Sequence, residues 1–265
     1  MLQADDELIQ DKLNHASLME AGLLSPAHMT RFLHNNPQSL ERTLARSQAK
    51  QKLVVTEGVF SMDGDCAPLQ EIQRVSQAHN AMLMVDDAHG CGVLTMDGSG
   101  SCKAANIQPD ILVITFGKAF GLSGAAVLCN QTTADYLTQF ARHYFYSTAM
   151  PPAQAHAISK ACDMVQHDTW RREKLTELSE LLGSQLSSHI DLKKTMTPIK
   201  PWMIGSAQQA LSIAEKLKQQ GCWVSAIREP TVPKNTARLR INLSAAHAKS
   251  DIHQLVQAIL GALRG

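Results

Sequence analysis

The sequence predicts an α/β fold: a mostly parallel sheet covered by helices on both faces, followed by a smaller α+β domain. This expectation rests on three features. Short apolar runs of strand length recur through the first half, each bounded by turn residues. Amphipathic helical segments separate them, the pattern that parallel sheets require. After Pro151-Pro152 the texture changes to long charged helices and shorter strands, which places the domains at 1–152 and 153–265.

Taken in order, Lys52-Leu-Val-Val-Thr56 is the first valine-rich run, and the turn cluster Ser61-Met-Asp-Gly-Asp65 follows it. Pro68 opens a helix with Leu69, Ile72 and Val75 on one face, and Asn80 ends it. Ala81 to Val85, Asp110 to Thr115 and Gly124 to Leu128 are the next buried strands. Residues 153 to 190 read as helical, with the charged stretch Arg171-Arg-Glu-Lys174. Pro198 to Ile204 reads as a strand, and Ala207 to Gln220 as a helix closed by Gly221. Strands from Cys222 to Ala226 and from Arg238 to Leu243 precede a last helix starting near Ser250.

Bulk properties narrow the function. The 265 residues are 44% hydrophobic, enough to bury a core, and the net charge of +1 provides no global field for nucleic acid or membrane. The longest apolar stretches are far too short to span a bilayer. The start, Met-Leu-Gln-Ala-Asp-Asp-Glu, is unlike a secretory or organellar signal, so a cytoplasmic location is expected. Six cysteines without a C-x-x-C pair argue against a zinc ribbon or thioredoxin-type motif and for free thiols in a reducing compartment; no metal is expected.

In open α/β sheets, ligands sit beyond the carboxyl ends of the strands. Polar residues gather there. Ser61 follows the first strand, Asp86, Asp87 and His89 the second, and Thr115, Gly117 and Lys118 the third. A lysine enclosed in a dry pocket has a lowered pKa and serves as nucleophile or base; the alternative for Lys118 is a solvated surface lysine. Asp86 follows a buried strand, where a carboxylate needs a partner such as a protonated pyridine nitrogen; the alternative is a helix N-cap, a task open to Asp87 as well. His89 is either a cofactor contact or a satisfied core histidine, and Ser61-Met-Asp-Gly-Asp65 either a site loop or only a turn. Gly117-x-x-x-Gly121-x-x-Gly124 lacks the P-loop ending and the Rossmann spacing, which disfavours nucleotide binding.

Three ordered segments carry a resemblance. Thr56-Glu-Gly-Val-Phe-Ser-Met-Asp-Gly-Asp65, Val85-Asp-Asp-Ala-His-Gly90 and Thr115-Phe-Gly-Lys-Ala-Phe-Gly121 resemble the α-oxoamine synthases, pyridoxal 5'-phosphate (PLP) enzymes of fold type I. Ser123-Gly-Ala-Ala-Val-Leu128, Tyr146-Ser-Thr-Ala-Met-Pro-Pro152, Pro230-Thr-Val-Pro233 and Thr236-Ala-Arg-Leu-Arg240 extend it along the whole chain. These details are similar to the branch that condenses L-alanine with a pimeloyl thioester, carried by coenzyme A or acyl carrier protein, in biotin synthesis.

The resemblance implies the following roles. Lys118 holds PLP as the Schiff-base lysine and then moves the α-proton. Asp86 pairs with the pyridine nitrogen, and His15 stacks on the ring. His89 and Ser61 contact the ring-oxygen side, and Thr115 binds the phosphate. Ser147 and Thr148 reach the phosphate in the partner subunit's site, which implies a homodimer with shared active sites. Arg240 clamps the amino-acid carboxylate, and Thr231 touches substrate. By the same resemblance, family members carry roughly a hundred more residues before His15, a substantial part of a domain. A glycine-aromatic pair that holds the phosphate and an arginine near the substrate belong to that part, so the chain is expected to be a fragment with an exposed sheet edge or apolar face. Cys91 and Ser99 depart from the family pattern. Two alternatives stay open: a non-catalytic remnant, and a sister enzyme that uses glycine or serine.

Overall fold

A computed structural model describes residues 1–264 and divides the chain into two compact units, residues 1–60 with 66–167 and residues 61–65 with 168–265. The first unit contains β1 (Glu7–Asp11), α1 (Ala16–Leu24), β2 (His28–Phe32), α2 (Pro37–Arg46), β3 (Lys52–Glu57), α3 (Leu69–Ala78), β4 (Met82–Asp86) and α4 (Ser101–Ala104). It continues with β5 (Ile111–Thr115), β6 (Ala125–Cys129), α5 (Gln131–Phe140), α6 (Arg142–Phe145) and α7 (Pro152–His167). Its six strands form one sheet in the order β2-β1-β3-β4-β5-β6. The first five are parallel, and β6 is antiparallel to β5.

Alternating side chains put a core on each face of this sheet. Ile9, Val54, Leu83 and Val85 pack with Leu40 and Leu44 of α2 and with Leu69, Ile72 and Val75 of α3. Leu8, Leu53 and Val55 point the other way and pack with Leu18 of α1 and Met29. Asn80, at φ +49°, ends the α3 connection in the left-handed region that asparagine tolerates. The reversal into β6 depends on Gly121 and Gly124, at φ +68° and +100°, with the Phe116 N–H donating to Gly124 O and the Leu122 N–H to Phe116 O. The glycine-rich segment is therefore a chain reversal.

The second unit contains α8 (Thr169–Leu186), β7 (Ile199–Gly205), α9 (Ala207–Gln219), β8 (Ser225–Ile227), β9 (Ala237–Asn242) and α10 (Lys249–Arg264). Its strands form an antiparallel sheet in the order β7-β9-β8. Leu178, Leu182 and Leu186 of α8 pack with Leu217 of α9, Leu239 and Ile241 of β9, and Ile252 and Ile259 of α10. Turn residues 61–65 belong to this unit: the Thr197 hydroxyl donates to Gly64 O at 2.9 Å, and the Arg238 guanidinium pairs with Asp63.

The boundary differs from the expected position at 152. Helix α7 stays with the first unit because Ile158 buries against Phe116 and Phe120, the two phenylalanines that flank Lys118. The change of texture at Pro151-Pro152 marks the start of a helix, and the change of unit follows at 168.

Candidate active site

In the first unit the candidate residues stand at the carboxyl ends of the parallel strands. Asp86 ends β4, Thr115 ends β5, and Lys118 lies three residues further along. In register, Asp86 faces Glu57 of β3 on one side and Val113 of β5 on the other. No helix starts at Asp86 or Asp87. Asp86 Oδ1 accepts the Ala88 N–H at 3.0 Å and so turns the chain, which sets the N-cap alternative aside.

Asp87 has a separate task. It is fully buried and accepts both the backbone N–H of Ser101, at 2.9 Å, and the Ser101 hydroxyl. These bonds tie the start of α4 to the end of β4 and close the loop that carries His89. Gly58, Gly90 and Gly100 all crowd this carboxylate, and a Cβ on any of them would collide with Asp87. Burial pushes the Asp87 carboxyl up to about 6, against the opposing effect of its Ser101 bonds.

Lys118 is exposed, with its neighbours Gly117 and Ala119, where the sequence suggested an enclosed pocket. The reason is local: residues 117–119 form the outer part of the reversal, while Phe116 and Phe120 turn inward. Thr115 has a hydroxyl Oγ1 that is buried yet has no hydrogen-bond partner among the described residues. A native structure rarely leaves such a donor unused, so it is available to a ligand. His89 is half-buried.

His15 sits at the N-cap of α1, and its ring Nδ1 lies 2.8 Å from the Ser17 hydroxyl. Its backbone N–H donates to Glu57 Oε1 at 2.5 Å. Glu57 connects the group: it bonds His15, and the charges of Asp86 and Lys118 both act on it. Only 4% exposed, its carboxyl is pushed up to about 8, first by burial and then by Asp86. Sequence reasoning assigned it no role. Its signal was present, as a glutamate ending a run of otherwise buried strand residues, but it lay inside a motif read for its serine.

In the second unit Arg240, on β9, donates from Nη1 to Ser61 O at 3.0 Å, which brings two expected residues together. Ser61 is buried. The Arg240 Nε is buried without a hydrogen-bond partner among the described residues, and burial lowers the guanidinium pKa. Thr231 is exposed. Ser147 and Thr148, back in the first unit, are exposed beyond α6, where the Ser147 hydroxyl donates to His143 O.

A polar cleft of about 880 Å³ opens at the other end of the strands, between Asp6, His28, Arg31 and Arg46. It contains none of the candidate residues. No group of three or more potential metal ligands and no helix long and apolar enough to cross a membrane occurs among the described residues.

This arrangement of a mostly parallel sheet with its functional groups at the carboxyl ends has known counterparts. The family model for aminotransferase class I and II matches residues 1–259, and the chain belongs to that family. An 8-amino-7-oxononanoate synthase from Vibrio atlanticus is 62% identical over 263 residues, a match covering 99% of this chain and 65% of that relative. The chain thus spans about two thirds of the length of a curated relative it matches. A serine palmitoyltransferase structure from Sphingomonas wittichii superposes with a TM-score of 0.95 at 31% identity, covering 100% of this chain and 68% of that one. Another, from S. paucimobilis with PLP and myriocin bound, superposes at 0.92 with 29% identity, covering 98% and 67%.

Proposed function

We propose that the chain provides the PLP-binding and catalytic residues of an 8-amino-7-oxononanoate synthase, an acyltransferase that joins L-alanine to a pimeloyl thioester with loss of carbon dioxide in biotin synthesis. The observation that carries this reading is Asp86 and Thr115 on the ends of two paired strands, with Lys118 three residues beyond and the Thr115 hydroxyl left without a partner. PLP needs an amine for its aldehyde, an anion for its pyridine nitrogen and donors for its phosphate, and these three side chains match those needs in kind. When bound, PLP supplies an electron sink for the negative charge that develops on the α-carbon of the amino acid.

The chain's residues do the rest. Lys118 would hold the cofactor through Nζ and would move the α-proton. Asp86 would pair with the pyridine nitrogen, and His15 would stack on the ring. His89 and Ser61 would contact the ring-oxygen side, and Thr115 would donate to the phosphate. Ser147 and Thr148 complete the phosphate site of a partner subunit in a homodimer. Arg240 binds the amino-acid carboxylate through its guanidinium fork, with Thr231 beside the substrate. The 62% identity to the synthase, against 31% to the palmitoyltransferase, favours alanine over serine as the amino donor. The test is an assay of the chain with PLP, a pimeloyl thioester and alanine, glycine or serine. Product from alanine supports the reading; product from glycine or serine alone, or none from any donor, overturns it.

A further inference from the structure

The ends of three neighbouring strands present three carboxyl groups: Asp11 on β1, Glu57 on β3 and Asp86 on β4. Each solves its charge differently. Asp11 is fully buried but saturated: it accepts the Leu13 N–H at 2.8 Å, the Asn35 N–H at 2.8 Å and the His34 ring at 2.9 Å. Asp86 is half-buried and accepts a backbone N–H. Glu57 is buried, and its carboxyl accepts the His15 backbone N–H. A second anion packed beside Asp86 at this depth is costly, and a neutral acid avoids that cost while still accepting from an N–H.

We propose that Glu57 is a positioning residue: its buried carboxyl anchors the backbone of His15 at the start of α1, so that the imidazole is set over the site beside Asp86. The role of His15 and Asp86 rests on the PLP reading above; the anchoring itself does not. Four groups bear on the Glu57 carboxyl. Asp86 from β4 and Asp11 from β1 favour its proton, while Lys118 beyond β5 and the His15 N–H oppose it. Burial and the acidic neighbours prevail, leaving the proton in place up to about pH 8. Above that, the bond from the His15 N–H becomes charge-assisted and tightens.

Labelling the chain with ¹⁵N-histidine and following the backbone amides by NMR from pH 5 to 10 tests the anchoring without cofactor. The His15 amide is expected to move downfield with a midpoint near 8. In Glu57→Gln, which keeps an oxygen acceptor but cannot ionise, that step is lost and the other histidine amides keep their shifts. A His15 amide that does not move over the range, or that titrates alike in Glu57→Gln, overturns the proposal. With PLP added, Glu57→Ala is expected to weaken the visible circular dichroism of the bound cofactor as His15→Ala does, and Glu57→Gln to restore it. An unchanged signal in Glu57→Ala overturns the positioning role. Absence of any Lys118-dependent PLP signal in the unmodified chain instead counts against the PLP reading, and the amide titration alone then decides whether Glu57 anchors His15.

Discussion

Glu57 and Asp86 are registered neighbours across the parallel pair β3 and β4, two carboxyl groups on adjacent strand ends with a lysine within electrostatic reach. One is buried and holds its proton; the other is partly open and turns the chain. A buried acid that keeps its proton avoids packing a second buried anion beside its neighbour.

Glu57 makes stability depend on pH. A carboxyl whose folded pKa is raised, Glu57 from 4.5 to about 8, keeps its proton where the unfolded chain has lost it. Its contribution is fully present below the unfolded value and is lost as pH rises toward the folded one. Asp87, raised to about 6, adds the same sign at lower pH, so of these two carboxyls Glu57 governs the window from 6 to 8. Urea midpoints for the parent chain should fall across that window. For Glu57→Gln the fall should be smaller.

The Asp87–Ser101 clamp should be among the costly side chains to remove. Asp87→Ala leaves the buried Ser101 N–H and hydroxyl without their acceptor, and a loss of about 3 kcal/mol in urea unfolding is expected. Gly58→Ala should cost about 2 kcal/mol by forcing a methyl group into the same clamp.

Asp86→Asn should leave the urea midpoint near that of the parent, because the amide oxygen still accepts the Ala88 N–H. In the alanine and pimeloyl thioester assay its kcat should fall by about 100-fold or more, the size expected when a fixed charge is removed from a developing one. Near-parental turnover would remove Asp86 from the mechanism.

Arg240→Lys should raise the KM for alanine by about 10- to 100-fold, since one ammonium replaces a two-pronged guanidinium contact with a carboxylate. A smaller change in kcat is expected. Equal loss in KM for the thioester would place Arg240 at the other substrate.

Much of the sheet was legible because its middle strands are apolar throughout: Leu-Val-Val in β3, Met-Leu-Met-Val in β4, Ile-Leu-Val-Ile in β5. Strand β1 was not, although all five of its residues are buried, because only two of them are apolar. Its polar members are satisfied by contacts distant in sequence: Glu7 accepts the Thr30 hydroxyl, and Gln10 donates to Leu18 O. The antiparallel turn of β6 depends on glycine dihedrals that periodicity does not reveal. The positions of Asp86, His89, Thr115 and Lys118 at or beyond strand ends could be read from the apolar runs before them. Glu57 could not, since its importance comes from facing Asp86 in register and meeting the backbone of a residue 42 positions away. The exposure of Lys118 was equally hidden, because it follows from which phenylalanines of the reversal face α7.

Every role proposed for the site depends on one lysine taking the cofactor. Incubating the chain with PLP, reducing with borohydride, digesting and mapping the modified peptide measures this directly. The label is expected on Lys118 and should be lost in Lys118→Ala. Label spread over the other exposed lysines, or fixed on a different one, would contradict it.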